Sequence, residues 1–421
     1  MSTLLTGGTL VELEPASVEP GSLRIQDGRI VARGPALEPV DGDEVVELKG
    51  KLVLPGFVST HHQLHATLYR GREPLGDQAE RPGEFERYEK ALDLDGVEAA
   101  AAMGALEGLF SGVTTVFDLH ASPSAAAGSL SRVARGVGTV GLRGVLAYQV
   151  SDRGGAVHRE EAIDECADYA KRARGRFRGA VGAQGLALAS DELLQALKQL
   201  VSGGAWLHAA VGQDPAEEKL STEKHGSTVL QRFTDQGLLG EHTLLAHLVH
   251  LSWPELSQAL ASGAYLAHVA RANLALMGGA GAPAKFGVRT CLGTGTWSLD
   301  VLAEAQAAWL KSRDAGAPVD PLRLIANGQR LASAVFGAPL NVLREGALAD
   351  LVIVDYPAPT EVHAGSLGAH LMRGVCSRHV ESVMVDGIWR LWNRRVLGVK
   401  VEDVALAARE AAKDLEGRLA G

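Results

Sequence analysis

One pattern limits the fold of this chain more than any other: a short apolar run followed by a stretch of helical periodicity, repeated eight times. The runs are GFVSTHH, TTVFDLH, RGVLAYQV, GAVGAQGLAL, AWLHAAV, TLLAHLV, AYLAHVA and VRTCLGTG. Between them, segments such as DGVEAAAAMGALEGLFSG, DELLQALKQLVSGG and SLDVLAEAQAAWLKSR place apolar residues three and four apart, as an amphipathic helix requires. Strand then helix, eight times over about 240 residues, predicts a parallel α/β fold, the (β/α)8 barrel. A doubly wound open sheet is the runner-up. It needs a glycine-rich phosphate loop after an early strand, and no segment fits one.

The flanks have another texture. LLTGGTLVEL, GSLRIQDGRIVARG and EVVELKGKLVL alternate apolar and polar residues and break at Gly and Asp-Gly, as hairpin strands do. ADLVIVDY and VESVMVDGIWRLWN repeat that texture near the other end. The expected organisation is therefore a barrel over 55–345, with 1–54 and 346–421 joining in a small β-sandwich domain.

Charge and cysteine content narrow the function classes. The net charge is −9 with both signs interspersed, so no basic stripe invites nucleic acid or an anionic membrane surface. Cys166, Cys291 and Cys376 are too few and too scattered for a disulfide framework or a cysteine zinc site. The opening MSTLLTGGTLVELE lacks a basic, then apolar, leader pattern, and no window approaches the ~20 apolar residues of a membrane span. A cytoplasmic protein that handles a small molecule is the expectation.

In such barrels the chemistry gathers where the strands end. The predicted tips carry eight of the 14 histidines: His61, His62, His65, His120, His208, His247, His250 and His268. They also carry Asp118, Asn273 and Thr294. A single histidine at a strand end is usually a hydrogen-bonded core residue. Eight at one mouth point to a present or former site.

The motifs sharpen this. LVLPGFVSTHHQLHATLYRG is similar to the PGxxxxHxH segment of amidohydrolases of the cytosine deaminase, guanine deaminase and chlorohydrolase group. GVTTVFDLHASPSAAAGSL, HAAVGQDPAEE, ASGAYLAHVARANLALMGGAG and GALADLVIVD resemble one branch, aminohydrolases of the SsnA type. The resemblance implies hydrolysis of a C–N bond on a small, often heterocyclic molecule. It implies one divalent metal, held by two His of the first strand, a His of the fifth and an Asp of the eighth. A sixth-strand His and a Glu after the fifth strand would move protons.

Matched residue by residue, that set is mostly replaced. His61 stands at the first ligand and Gln63 at the second. Strand side chains alternate, so 61, 63 and 65 share one face, with His65 about 6 to 7 Å further along and His62 turned away. On the fifth strand one register puts Ala210 at the ligand and Gln213 at the Glu; the other makes His208 the ligand and Val211 the lost Glu. His247 is kept, and Gly295 occupies the metal-Asp position. The nearest acid, Asp300, opens SLDVLAEA as a helix-entry residue.

These replacements predict a catalytically silent or repurposed member, with His61 and His247 as the surviving catalytic groups. Gln63, His65, His120, Gln213, His268 and Trp297 are the expected ligand contacts. No cofactor is expected; a zinc or iron ion enters only if the histidines form a rebuilt site, the alternative being an active hydrolase or lyase. The resemblance implies a homo-oligomer, and the lost ligands suggest a hetero-complex with an active enzyme.

Overall fold

The computed structural model describes residues 2–72, 83–275, 279 and 287–420; the end of the ARANLALMGGAG segment lies outside them. Eight parallel strands stand side by side in chain order. They are β1 (Phe57–His62), β2 (Val113–His120), β3 (Arg143–Val150), β4 (Phe177–Ala183), β5 (Leu207–Val211), β6 (Thr243–His247), β7 (Tyr265–His268) and β8 (Thr290–Leu292). All of β2 and β5 are buried, which suits near-continuous apolar runs covered on both faces.

The two outer strands meet beyond β8. Thr294 N and Gly295 N both donate to His61 O, at 2.7 and 3.0 Å, and Gln63 N donates to Gly295 O at 3.0 Å. A parallel bridge between His62 and Gly295 completes the seam and closes the barrel. Inside, Val58, Phe117, Val145, Ala210 and Leu244 pack on one another and on Phe336 of the helix Pro321–Phe336. Arg143 and Arg178, at the starts of β3 and β4, lie over the Phe336 ring at 5.6 and 4.7 Å, so this helix plugs the end opposite the mouth.

The two hairpin-rich flanks do meet. Leu52–Pro55 runs antiparallel to Leu351–Val354 within one nine-stranded sheet. That sheet bends until Ile30 N donates to Ala347 O (2.9 Å) and Gly346 N to Ile30 O (2.8 Å). Leu23, Ile25 and Val53 from the start share a core with Leu351, Ile353 and Met384 from the end. The small domain expected as a sandwich is thus one continuous sheet folded onto itself. Residues beyond 400 leave it: the helix Val401–Ala420 reaches the barrel, where Arg418 Nε donates to Ala91 O at 2.7 Å.

Two contacts couple sheet and barrel. Gly56 leaves no room for a side chain, since a Cβ there would sit 2.3 Å from Thr114 Oγ1. Asp350, the first Asp of GALADLVIVD, is buried and takes the buried Arg143 two-pronged, at 2.7 and 3.0 Å. Asp386 N also donates to Asp350 Oδ1 at 2.8 Å. Removing Asp350 leaves the buried Arg143 with one partner, the partly exposed Asp386 at 2.7 Å, and takes away the acceptor of Asp386 N. Asp350→Ala is therefore expected to lower unfolding free energy by about 3–5 kcal/mol. Urea denaturation measures this, and an unchanged midpoint would contradict it.

Candidate functional site

The mouth of the barrel is lined by imidazoles that touch one another. His61 Nδ1 and His208 Nε2 share a hydrogen bond of 2.8 Å. The His61 ring meets the His247 ring edge-on, centroids 4.9 Å apart. His247 Nδ1 donates to Asn273 Oδ1 at 2.7 Å, which leaves Nε2 as the lone-pair nitrogen of a neutral ring. Both His61 and His208 are buried, and neither His61 Nε2 nor His208 Nδ1 has a hydrogen-bond partner among the described residues.

Burial fixes the charge of this cluster. It drives His61 well below the ordinary imidazole range, helped by His247, His208 and His62. Burial likewise holds His208 near 3, and His268, at the tip of β7, near 3, each with His247 adding to the effect. His247 is lowered only to about 4 because the Asn273 bond opposes desolvation.

The backbone here is strained. His247 (φ 75°) and Leu248 (φ 54°) are successive left-handed residues, which side chains with a Cβ disfavour. Leu248 N donates to Val211 O (2.9 Å), while Val249 N and His250 N both donate to Gly212 O. These bonds hold a turn that costs about 1–3 kcal/mol per residue in isolation. His250 therefore lies in the loop after β6, off the strand.

The seam also redirects the chain beyond β1. The strand ends at His62, and Leu64–Tyr69 form a 3₁₀ turn. Gln63 N is taken by Gly295 O, and Leu64 N donates to Asp118 Oδ1 at 2.6 Å. The expectation that 61, 63 and 65 share one strand face is corrected, because these bonds stop the alternation. His65 instead lies buried beside Glu89, Nε2 to Oε1 3.2 Å, with the His120 ring edge-on at 5.3 Å. His120 Nε2 meets Ser122 Oγ at 2.9 Å, and burial holds its pKa well below the usual value. His62 points to Thr294 Oγ1 (2.9 Å), and burial lowers it to about 3. Burial pushes Asp118 the opposite way, up to about 7.

Gln63 Nε2 donates to Gln184 Oε1 at 3.3 Å. Gln184 and Arg153 border two adjoining cavities at the ends of β3 to β5. One, about 160 Å³, is lined by Glu89, Tyr148, Gln149 and His158; the other, about 380 Å³, by Ala210, Gln213, Glu217 and Lys224. Trp297 belongs to neither. It is 39% exposed, on a separate groove with Ala66 and Tyr69, and its ring faces Arg271 at 6.0 Å. Trp297, expected as a ligand contact, thus lies after the seam on a groove apart from both cavities. Asp300 caps the helix Val301–Asp314, accepting from Ala303 N at 3.0 Å. Sequence reasoning missed Glu89, Tyr148 and Glu217. Of these, only Glu217 left a trace, four residues beyond Gln213.

Residues 52–390 match the family model described as the amidohydrolase family. The chain belongs to the amidohydrolase family. Similar proteins span it end to end. A 5'-deoxyadenosine deaminase of Methanothermobacter thermautotrophicus is 27% identical over 99% of each chain. A 5-methylthioadenosine/S-adenosylhomocysteine deaminase of Natronomonas pharaonis is 29% identical over 100% of each. Among solved structures, an adenosine deaminase from Xanthomonas campestris with bound zinc superposes with a TM-score of 0.86 at 19% identity, covering 99% of this chain and 98% of that one. An atrazine chlorohydrolase from Arthrobacter aurescens, complexed with zinc, gives 0.84 at 20%, covering 97% and 100%. The structural likeness establishes the shared fold.

Two outcomes are expected of this amidohydrolase. Gly295 has φ +58°, and a Cβ there would lie 2.8 Å from Val269 Cγ1 and 3.0 Å from Ala272 Cβ. Gly295→Asp is thus expected to destabilise the fold by about 1–3 kcal/mol, read as a lowered melting temperature. The depressed histidines bind protons near 6.5 only when the chain unfolds. Their contribution is fully present above about pH 6.5 and falls as pH drops toward 4, by up to about 1.4 kcal/mol per pH unit for each. Urea midpoints at pH 7.5, 6 and 5 should decline in that order, and a flat series would refute the assignment.

Proposed function

We propose that this chain is a silent or repurposed amidohydrolase, akin to aminohydrolases of the SsnA type. In this reading it holds a small amino-substituted heterocycle of the adenosine kind at the barrel mouth without hydrolysing it by the family's metal-dependent route. The observation that carries the reading is the direct bond between His61 and His208. Nitrogens bound to one tetrahedral zinc at 2.0–2.1 Å stand about 3.3 Å apart. A separation of 2.8 Å favours a shared proton instead. The leftover nitrogens, His61 Nε2 and His208 Nδ1, lie on the far sides of the two rings and so diverge from that bond.

The other positions add to this argument. Position 63 offers a neutral amide, 210 a methyl group and 295 no side chain, so no anionic ligand remains where the resemblance places one. Among the described residues, no three of His, Cys, Asp and Glu converge as a metal-holding group. The residues present do not fit the family's divalent metal, and no step is routed through one. The ligand class is drawn from the relatives, whose named substrates are adenosine derivatives. The 380 Å³ cavity beside Ala210 falls within the range of small-molecule sites.

A second reading, an active hydrolase or lyase on the histidine cluster, draws support from the Asn273-oriented His247, whose free Nε2 suits a general base. It requires that turnover of some purine, pyrimidine, guanidino or hydantoin substrate be abolished by His61→Ala and His247→Ala. The deciding measurement is metal content after purification from zinc-supplemented medium and dialysis, paired with ammonia release from 5'-deoxyadenosine. Far less than one ion per chain and no ammonia above the blank are expected. Zinc retained near one per chain would overturn the proposal.

A further inference from the structure

Four arginines gather at the plugged end of the barrel, opposite the histidine-lined mouth. Arg143 opens β3, Arg176 directly precedes β4, Arg178 is the second residue of β4, and Arg390 belongs to the strand Ile388–Trp392 of the sheet domain. Arg143 and Arg178 share the Phe336 ring, at 5.6 and 4.7 Å. Gly144 N donates to Arg176 O at 3.0 Å, which ties Arg176 to the start of β3. Arg390 lies across the turn that leads into β3. A Cβ at Gly141 (φ +95°) would sit 2.5 Å from its Cδ and 3.0 Å from its Cζ.

Two carboxylates serve these four cations, and both go to one of them. Asp350 takes Arg143 Nε and Nη2, and Asp386 takes Arg143 Nη2 at 2.7 Å. Arg176, Arg178 and Arg390 enter no ion pair among the described residues. Arg178 Nη1 donates to backbone alone, to Gly175 O and Phe177 O. Arg176 Nε and Arg390 Nε are buried donors with no acceptor among the described residues. Four positive charges against two negative leave a net +2, carried by three half-buried guanidinium groups. The groups feel one another: burial first, then the charge of Arg176, holds Arg390 below the ordinary guanidinium range, and burial with Arg143 does the same to Arg178. Like charges this close, with buried donors left over, cost free energy until an anion lies among them.

We infer that this corner of the molecule is a binding site for a phosphate group, held by Arg176, Arg178 and Arg390. A phosphate carries close to two negative charges at neutral pH and above, which matches the charge left uncompensated. Its tetrahedral oxygens can face guanidinium groups arriving from separate elements. The two oxygens of a carboxylate lie in one plane and suit a single guanidinium fork. Inorganic phosphate and the phosphate of a small phosphorylated metabolite share this chemistry. Bound there, either one bridges barrel and sheet domain, since Arg176 and Arg178 belong to the first and Arg390 to the second.

The test is calorimetric titration of inorganic phosphate, and separately of ribose 5-phosphate, into the full chain at pH 8 with ionic strength held by sodium chloride. Saturable binding to the wild type is expected. Arg176→Gln and Arg390→Gln should each raise Kd by about 10-fold or more, as loss of a charged hydrogen-bond partner does. Arg174→Gln, at an exposed arginine of the same segment, should leave Kd unchanged. Equal affinity for the two compounds identifies the free anion as sufficient, and tighter ribose 5-phosphate identifies a phosphorylated metabolite; both uphold the site. A second measurement needs no substitution. Phosphate should shield Arg176, Arg178 and Arg390, but not Arg174, from phenylglyoxal, read by peptide mass mapping. No binding above the chloride background, a wild-type Kd in both Arg176→Gln and Arg390→Gln, or modification that phosphate does not slow would each overturn the inference.

Discussion

The seam between β1 and the residues after β8 is the constraint on which both fold and site depend. An eight-stranded sheet of this twist must either close or leave two edges of unpaired backbone groups. Closure here falls to His61 O, Gln63 N and the amides of Thr294 and Gly295. Three of these positions, 61, 63 and 295, are ones where the family resemblance places metal ligands. Backbone groups of 61, 63 and 295 thus hold the barrel shut, and Gly295 adopts a left-handed conformation at the seam (φ +58°). A side chain at 295 would head toward Val269 and Ala272 rather than toward the imidazoles.

Desolvation sets the state of the groups inside the seam. Imidazoles removed from water on all sides lose the charged form first, and each neutral ring must then find a donor or acceptor among its neighbours. His61 and His208 satisfy one nitrogen each by pairing together, and His247 takes Asn273. The polar interior is therefore a set of buried imidazoles, two of them bonded to each other and four others held by Asn273, Thr294, Glu89 and Ser122. The groups open to the cavities belong to the outer loops instead: Gln184, Gln213, Glu217 and Arg153.

Much of this was legible in the chain. Eight apolar runs with helical stretches between them specify a barrel because parallel strands buried on both faces have no polar face to show. The histidines at the run ends were legible as well, since strand ends and loops share one face of such a fold. The strand face of His65 was not legible. Strand alternation was extended past His62, whereas bonds to Gly295 and Asp118, distant in sequence, stop the strand there. Glu89 carried no local signal as a site residue, because an ordinary helix pattern holds it.

The sequence by itself determined the architecture, the family, and which side chains stand at the ends of the strands, because periodicity and local motif are properties of short segments. Tertiary structure decided which of those side chains meet. Whether His61 faces His208, or Glu217 opens onto the cavity of Ala210, depends on closing a long loop of chain or on packing against the following helix. Such contacts are set by the geometry of closure and by the exclusion of water, and no window of neighbouring residues encodes either.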